Sequence, residues 1–362
     1  MPIVANSDLP TFERLRQQGH TILTPERAAH QDIRGLHVGL LNMMPDAAME
    51  ATERQFFRLL GESNPIAQFY LHPFTIDAIP RGEKAAEHVA QYYRTFSEIR
   101  EEGLDALIIT GANVTQPDLS LEPFWQPLTE VMDWAEHNVT STLYSCLATH
   151  AGLQHRYGQA RRELPAKRWG VFEHGVVDRR HPLVMDVNSR FDVPHSRFNQ
   201  VDREMFEAAG LRILIESEVA GVHLAVSPDL FRTVYFQGHP EYDTISLLKE
   251  YKREVMLYLK GLREDYPPHP DHYFDLYTRS IMADYRVAAE AAVKAGKPLP
   301  PFPESLIADR LENTWHDTGE AIVGNWMGLV YQVTHSDRRK SYMEGIDPAD
   351  PLGLLAEERA AG

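Results

Sequence analysis

Short apolar runs alternate along the first half of the chain with longer stretches whose hydrophobic residues recur every three or four positions. The runs His37–Asn42, Phe69–Phe74, Asp105–Thr110 and Ser141–Ser145 have the near-continuous apolar character of strands covered on both faces. Between them, Glu50–Leu60 carries Phe56, Phe57, Leu59 and Leu60. Glu83–Glu102 places Val89, Tyr92, Tyr93, Phe96 and Ile99 at helical spacing, and Glu122–His137 reads as a third helix. Strand–helix alternation implies right-handed crossovers and a parallel sheet. The fold predicted is therefore an open, doubly wound α/β fold, with its site at the carboxyl ends of the strands.

The texture changes after Leu153. Val171–Val177, Ile213–Glu216, Val222–Val226 and Thr233–Gln237 read as strands separated by short turns, and so as hairpins added to the sheet. Thr244–Leu262 reads as a helix. The segment from Asp265 to Pro303 opens on Tyr266-Pro-Pro-His-Pro270 and closes on Lys297-Pro-Leu-Pro-Pro-Phe-Pro303. Its middle, Tyr277–Ala295, is alanine-rich and helical, so it reads as a helical insertion between stiff proline segments. A last helix is expected near Gly319–Val330, followed by a charged tail, 337–362, expected to be mobile.

Composition narrows the functional classes. The 362 residues carry 36 Lys+Arg against 52 Asp+Glu, a formal charge of -16. Such a balance argues against nucleic acid or an anionic membrane as a partner. A single cysteine excludes an intramolecular disulfide framework. The N-terminal MPIVANSDLP lacks the pattern of a secretory signal, and no run is long enough to span a bilayer. A cytoplasmic protein is expected.

The lone cysteine would ordinarily be a small buried hydrophobe. Here Cys146 follows the run Ser141–Ser145 and precedes helix-forming residues, the arrangement of a nucleophile elbow. A helix N-terminus lowers a thiol pKa, and the Leu147 amide stands where an oxyanion donor is needed. Far downstream, Gly238-His-Pro-Glu241 ends another apolar run. Glu241, two positions beyond His239 on a chain stiffened by Pro240, is placed to orient the imidazole as a base. Pro194-His-Ser-Arg197 forms a polar cluster between predicted strands. Arg253 lies on the helix after the His-Pro-Glu loop, where an arginine suits a substrate carboxylate as readily as solvent. His269-Pro-Asp-His272 has no further ligands at metal-site spacing, and no phosphate-cradling glycine motif occurs.

Taken together these stretches resemble the MetA-type homoserine O-acyltransferases, built on the class I glutamine amidotransferase-like (flavodoxin-like) fold. The resemblance rests on Leu41-Asn-Met-Met-Pro45, Gln55–Leu60, Ile108-Ile-Thr-Gly-Ala112, Thr140-Ser-Thr-Leu…Cys146, Pro194-His-Ser-Arg197 and Gly238-His-Pro-Glu-Tyr-Asp243. It implies an acyltransferase moving a succinyl or acetyl group from acyl-CoA to L-homoserine through a cysteine thioester, in methionine biosynthesis. Cys146, His239 and Glu241 would be catalytic, and Lys167, Ser196 and Arg253 would bind homoserine. Backbone amides of Leu147 and Met44 would hold the oxyanion, and the position of Thr115 would select the acyl group. A glutamate there accompanies acetyl and a glycine succinyl; threonine matches neither and leaves succinyl permitted. No metal and no cofactor besides acyl-CoA as co-substrate is implied. The same chemistry on L-serine, or a non-catalytic binding homologue, is the alternative. Residues 1–264 would form the amidotransferase-like domain, 265–303 the insertion, 304–336 its C-terminal part and 337–362 the tail, with a homodimer as one candidate assembly. The chain departs from the family after Pro45, where Asp46-Ala-Ala48 stands in place of lysines. It departs again at Leu147 and His150, at Trp315-His-Asp-Thr-Gly319, and in the length of the insertion.

Overall fold

The structure, a computed structural model, describes residues 3–361 apart from 32 and 65. Eleven strands form one sheet: β1 (Ile3–Val4), β2 (Ile22–Leu23), β3 (Gly35–Leu41), β4 (Gln68–Phe74), β5 (Ala106–Ile109), β6 (Ser141–Ser145), β7 (Arg162–Val176), β8 (Arg190–Gln200), β9 (Arg212–Ser217), β10 (Gly221–Val226) and β11 (Thr233–Phe236). Their spatial order is β2-β1-β4-β3-β5-β6-β11-β10-β9-β7-β8. Pairing is parallel from β2 through to β11 and antiparallel from β11 to the β8 edge. The protein thus has a doubly wound, mainly parallel α/β fold with hairpins added at one edge.

Side-chain alternation divides the core between the two faces of the sheet. Leu143 and Val234 pack with Phe56, Phe57 and Trp326 on one face. Their neighbours Tyr144 and Tyr235 pack with Val131, Ala151 and Leu153 on the other. A third cluster, Trp169, Tyr251, Phe274, Met282, Tyr285 and Trp315, lies beneath the residue 265–303 segment. That segment begins by pairing with β7, through Asp271 N–H to Trp169 O (2.8 Å) and Val171 N–H to Asp271 O (2.9 Å), and then forms the helix Leu276–Lys294.

Three expectations change. Glu83–Glu102 is two helices, Glu83–Tyr92 and Phe96–Glu102. The second starts at a capping box in which Thr95 and Glu98 satisfy each other's backbone, so the chain turns there. Pro194–Arg197 lies inside β8 rather than between strands. The tail beyond Asp337, expected to be mobile, is docked: Tyr342 Oη donates to Thr140 O (2.9 Å), and Leu352, Leu354 and Leu355 pack against the core. No helix among the described residues is long and apolar enough to cross a membrane.

Candidate active site

β6 and β11 are adjacent and parallel, so their carboxyl ends deliver their next residues side by side. After Ser145 the chain turns abruptly into the helix Leu147–Tyr157, and Cys146 at the turn has φ 54° and ψ -108°. A non-glycine residue held there stores about 1–3 kcal/mol that the surroundings must offset. They do so with Cys146 N–H to Phe236 O (2.8 Å) and with the Thr149 hydroxyl, placed 2.9 Å from Tyr144 O and 2.8 Å from Phe236 O. The amides of Thr149 and His150 turn back to Cys146 O. Leu147, at the first helical position, has no intrahelical acceptor for its N–H.

The second half of the site follows β11. The buried Gln237 amide is fully occupied by Val201, Val222 and His150, which fixes the strand end. A side chain at Gly238 would lie 2.5 Å from Val193, 2.8 Å from His195 and 2.9 Å from His223, so the backbone can pass only as glycine. His239 N–H then bonds Pro194 O (2.8 Å), its Nδ1 lies 2.8 Å from Glu241 Oε1, and its ring stacks on Tyr242 at 4.4 Å. With Nδ1–H given to the carboxylate, Nε2 is left for the Cys146 sulfur, with which His239 is hydrogen-bonded. Burial pushes the thiol pKa up, yet the His239 charge outweighs it, with help from Arg197, and the thiol lies below its ordinary value. Burial pulls His239 down while Glu241 and Cys146 raise it, and the net shift is upward. The two groups thus favour a thiolate–imidazolium pair.

Two distant segments brace this loop. From the helix Asp46–Glu62, Arg58 donates to Glu241 O (3.0 Å), while Arg54 and Gln55 hold Asp243 at 2.9 and 3.3 Å. From the C-terminal region the Trp315 indole donates to Tyr242 O (3.0 Å).

On Tyr242, the residue stacked on His239, a second cluster is built in which Lys167 and Ser196 come together on a residue the sequence did not single out. Glu250 accepts from Lys167 Nζ (3.1 Å), Ser196 Oγ (2.6 Å) and Tyr242 Oη (2.9 Å). Burial raises the Glu250 pKa, but Lys167 and the two hydroxyls more than offset this, so the carboxyl is held below its usual value. Lys167 also stands 4.2 Å over the Trp169 ring, and burial lowers its pKa. Arg253, one helical turn beyond Glu250, is exposed and lies 3.3 Å from Glu254. The only hint of Glu250 in the sequence was its i, i+3 relation to Arg253.

The remaining predicted residues are distributed as follows. Met44 N–H is 3.2 Å from Asn42 Oδ1, so it is already engaged, whereas among the described residues Leu147 N–H has no acceptor. Arg81 bonds Met44 O and, at 3.0 Å, Asn42 O, bringing a cation to the loop that lacks lysines after Pro45. Thr115 gives its amide and hydroxyl to the buried carboxylate of Glu122, another residue missed in the sequence. Among the described residues, metal-ligand spacing occurs at Glu62, His316 and Glu320, which belong to other helices and include none of these groups.

The homoserine O-succinyltransferase family matches residues 2–336 of the chain. A homoserine O-succinyltransferase from Allochromatium vinosum is 67% identical over 98% of this chain and 99% of its own length. One from Methylococcus capsulatus is 64% identical over 98% of this chain and 100% of its own. Among solved structures, a glutamine amidotransferase from Methylobacillus flagellatus is similar with a TM-score of 0.44 and 13% identity, covering 82% of this chain and 95% of that one.

Proposed function

The chain belongs to the homoserine O-succinyltransferase family, and from that premise we propose that it transfers succinyl from succinyl-CoA to the hydroxyl of L-homoserine through a thioester on Cys146, a step of methionine biosynthesis. The Cys146 thiolate attacks the thioester carbonyl carbon, and the developing oxyanion is met by the Leu147 amide. As the tetrahedral adduct collapses, the bond to the CoA sulfur breaks. The departing CoA thiolate takes the proton held on His239 Nε2, and the succinyl group stays on Cys146.

Homoserine then enters the emptied donor side. Its hydroxyl gives its proton to His239 Nε2 as its oxygen attacks the acyl carbon, and Cys146 leaves as thiolate. Glu241 keeps the imidazole in the required tautomer in both halves of the cycle. The exposed Arg253 suits the α-carboxylate of homoserine. Glu250, already bonded to Lys167 and Ser196, offers a carboxylate to its ammonium. Fixing both ends of the amino acid leaves its hydroxyl little freedom.

The observation that carries this reading is the contact of Cys146 with His239 and of His239 with Glu241 at the ends of two paired strands. Incubation with succinyl-CoA alone is expected to leave one succinyl group on the intact protein, detectable by mass. Cys146→Ala should abolish both that adduct and turnover; full activity of the alanine variant would refute the mechanism.

A further inference from the structure

Arg161 occupies the turn between the helix that starts at Cys146 and strand β7. The arginines on either side are both ion-paired: Arg156 with Glu136, and Arg162 with Asp202 at 2.9 Å. Among the described residues no carboxylate lies within ion-pairing distance of Arg161. Its Nη2 donates to the backbone oxygen of Gln116 (3.1 Å), and its Nε is buried with no acceptor at all. Glu122 acts on it only through space, and a half-buried guanidinium with an unmet donor and no carboxylate in contact is costly to leave that way in a low-dielectric site.

The surroundings show what would meet it. Gly111 follows the carboxyl end of β5, and a Cβ there would lie 3.7 Å from Met44 Sδ and 3.8 Å from Leu147 N. Its absence leaves a notch next to the open elbow amide. An acyl group with its carbonyl oxygen at Leu147 N–H would lie against this notch, from which the chain runs on into the loop through Thr115 and Gln116. Glu122 behind that loop does not oppose an anion directly. Its carboxylate is occupied by Thr115 N–H and Oγ1 and by Gln116 N–H at 2.6 Å. Arg161 bonds the same loop at Gln116 O; burial lowers its pKa, while the charges of Glu122 and Cys146 favour its protonated form. Succinyl differs from a neutral acyl group of equal length only by the carboxylate three carbon–carbon bonds from the reacting carbonyl.

We propose that Arg161 binds the distal carboxylate of the succinyl group and so makes the site select a dicarboxylic acyl donor. The inference rests on the acyl-enzyme reading above and adds a donor subsite to it. The planar guanidinium can keep its bond to Gln116 O while offering its remaining N–H groups to the carboxylate. Donor choice at this site is then set by an attracting cation as well as by the absence of a repelling side chain at position 115.

Succinyl-CoA and butyryl-CoA, its near-isosteric neutral counterpart, form the test pair. Rates of single-turnover acylation are to be measured by mass for the native protein, Arg161→Met and Arg161→Lys. The succinyl-to-butyryl ratio should fall about ten- to a hundredfold in Arg161→Met, as expected for removing a hydrogen bond to a charged group. Arg161→Lys should recover part of it. A ratio in Arg161→Met within about twofold of native, whatever the absolute rates, would overturn the proposal, because loss of the Gln116 contact alone slows both donors equally. The same ratio taken from dissociation constants in a Cys146→Ala background decides the matter without chemistry. Absence of any adduct on the native protein would count against the thioester and leave that binding ratio to judge Arg161.

Discussion

A buried thiol ordinarily holds its proton more tightly than a free one, because an ionised sulfur loses its water. Cys146 is pushed the opposite way, since the raised and therefore charged His239 beside it, itself supported by Glu241, outweighs the burial. The sign follows directly. Below its lowered pKa the thiol is protonated and unreactive; above it the thiolate is present, so reactivity begins at lower pH than the ~8.5 of an unperturbed cysteine. Iodoacetamide labelling of Cys146 against pH should show this early onset, and His239→Ala should move the onset upward, as Arg197 alone then opposes the burial. Coincident titrations in the two proteins would mean that the imidazole does not ionise the sulfur. This part of the site was legible in the sequence because Cys146 directly follows β6, His239 comes three residues after β11, and Glu241 lies two further on. Glu250 was not, since its partners lie 83, 54 and 8 residues off and only the fold assembles them.

At the scale of elements, the parallel strands were readable because both their faces are apolar, and Ser141–Ser145 was placed to the residue. β8 was hidden because its inward face turns polar after Phe191 and Val193. His195 and Arg197 are buried against His174, Gln200 and one another, so the period-two pattern that marks a half-buried strand is absent. The break at Thr95 did have a signature, Thr-Phe-Ser-Glu, overridden by the helical spacing on either side of it. The same reasoning explains why Trp315 matters although it is far from Cys146 in the chain. It is buried, and its indole N–H supplies a bond to Tyr242 O, next to the catalytic carboxylate. Trp315→Phe keeps most of the ring and leaves that carbonyl unpaired, which should cost about 1–3 kcal/mol of stability in urea titrations. Because the weakened segment carries Glu241 and Tyr242, kcat should also fall at temperatures where the variant is fully folded. An undiminished kcat would mean that the arginines of the Asp46–Glu62 helix hold the loop unaided.

For the molecule as a whole, the sheet separates chemistry from support. Cys146 and His239 follow the carboxyl ends of the paired parallel strands β6 and β11, and the charges of Arg197 and Arg161 reach the sulfur there although the chain carries a formal charge of -16. An anionic donor is therefore drawn by local cations rather than by the protein's overall field. The tail serves the other end. Tyr342 bonds Thr140 O, the residue before β6, and Ser341 Oγ bonds His137 O (2.7 Å). Arg232 stands 4.9 Å over the Tyr342 ring, and Glu358 pairs with Arg212 at 2.8 Å. Its charged composition alone could not reveal these contacts, because each is made to a carbonyl, ring or charge that only the folded chain presents. Removing residues 337–362 should then uncover the amino ends of β6 and β11 and leave the catalytic ends untouched. The shortened protein is expected to melt several degrees lower, while kcat and both KM values, measured well below that transition, stay within about twofold of native. A large loss of kcat in the folded, shortened protein would mean that the tail's hold on β6 is transmitted along the strand to Cys146, and the two ends of the sheet would have to be treated as one coupled unit.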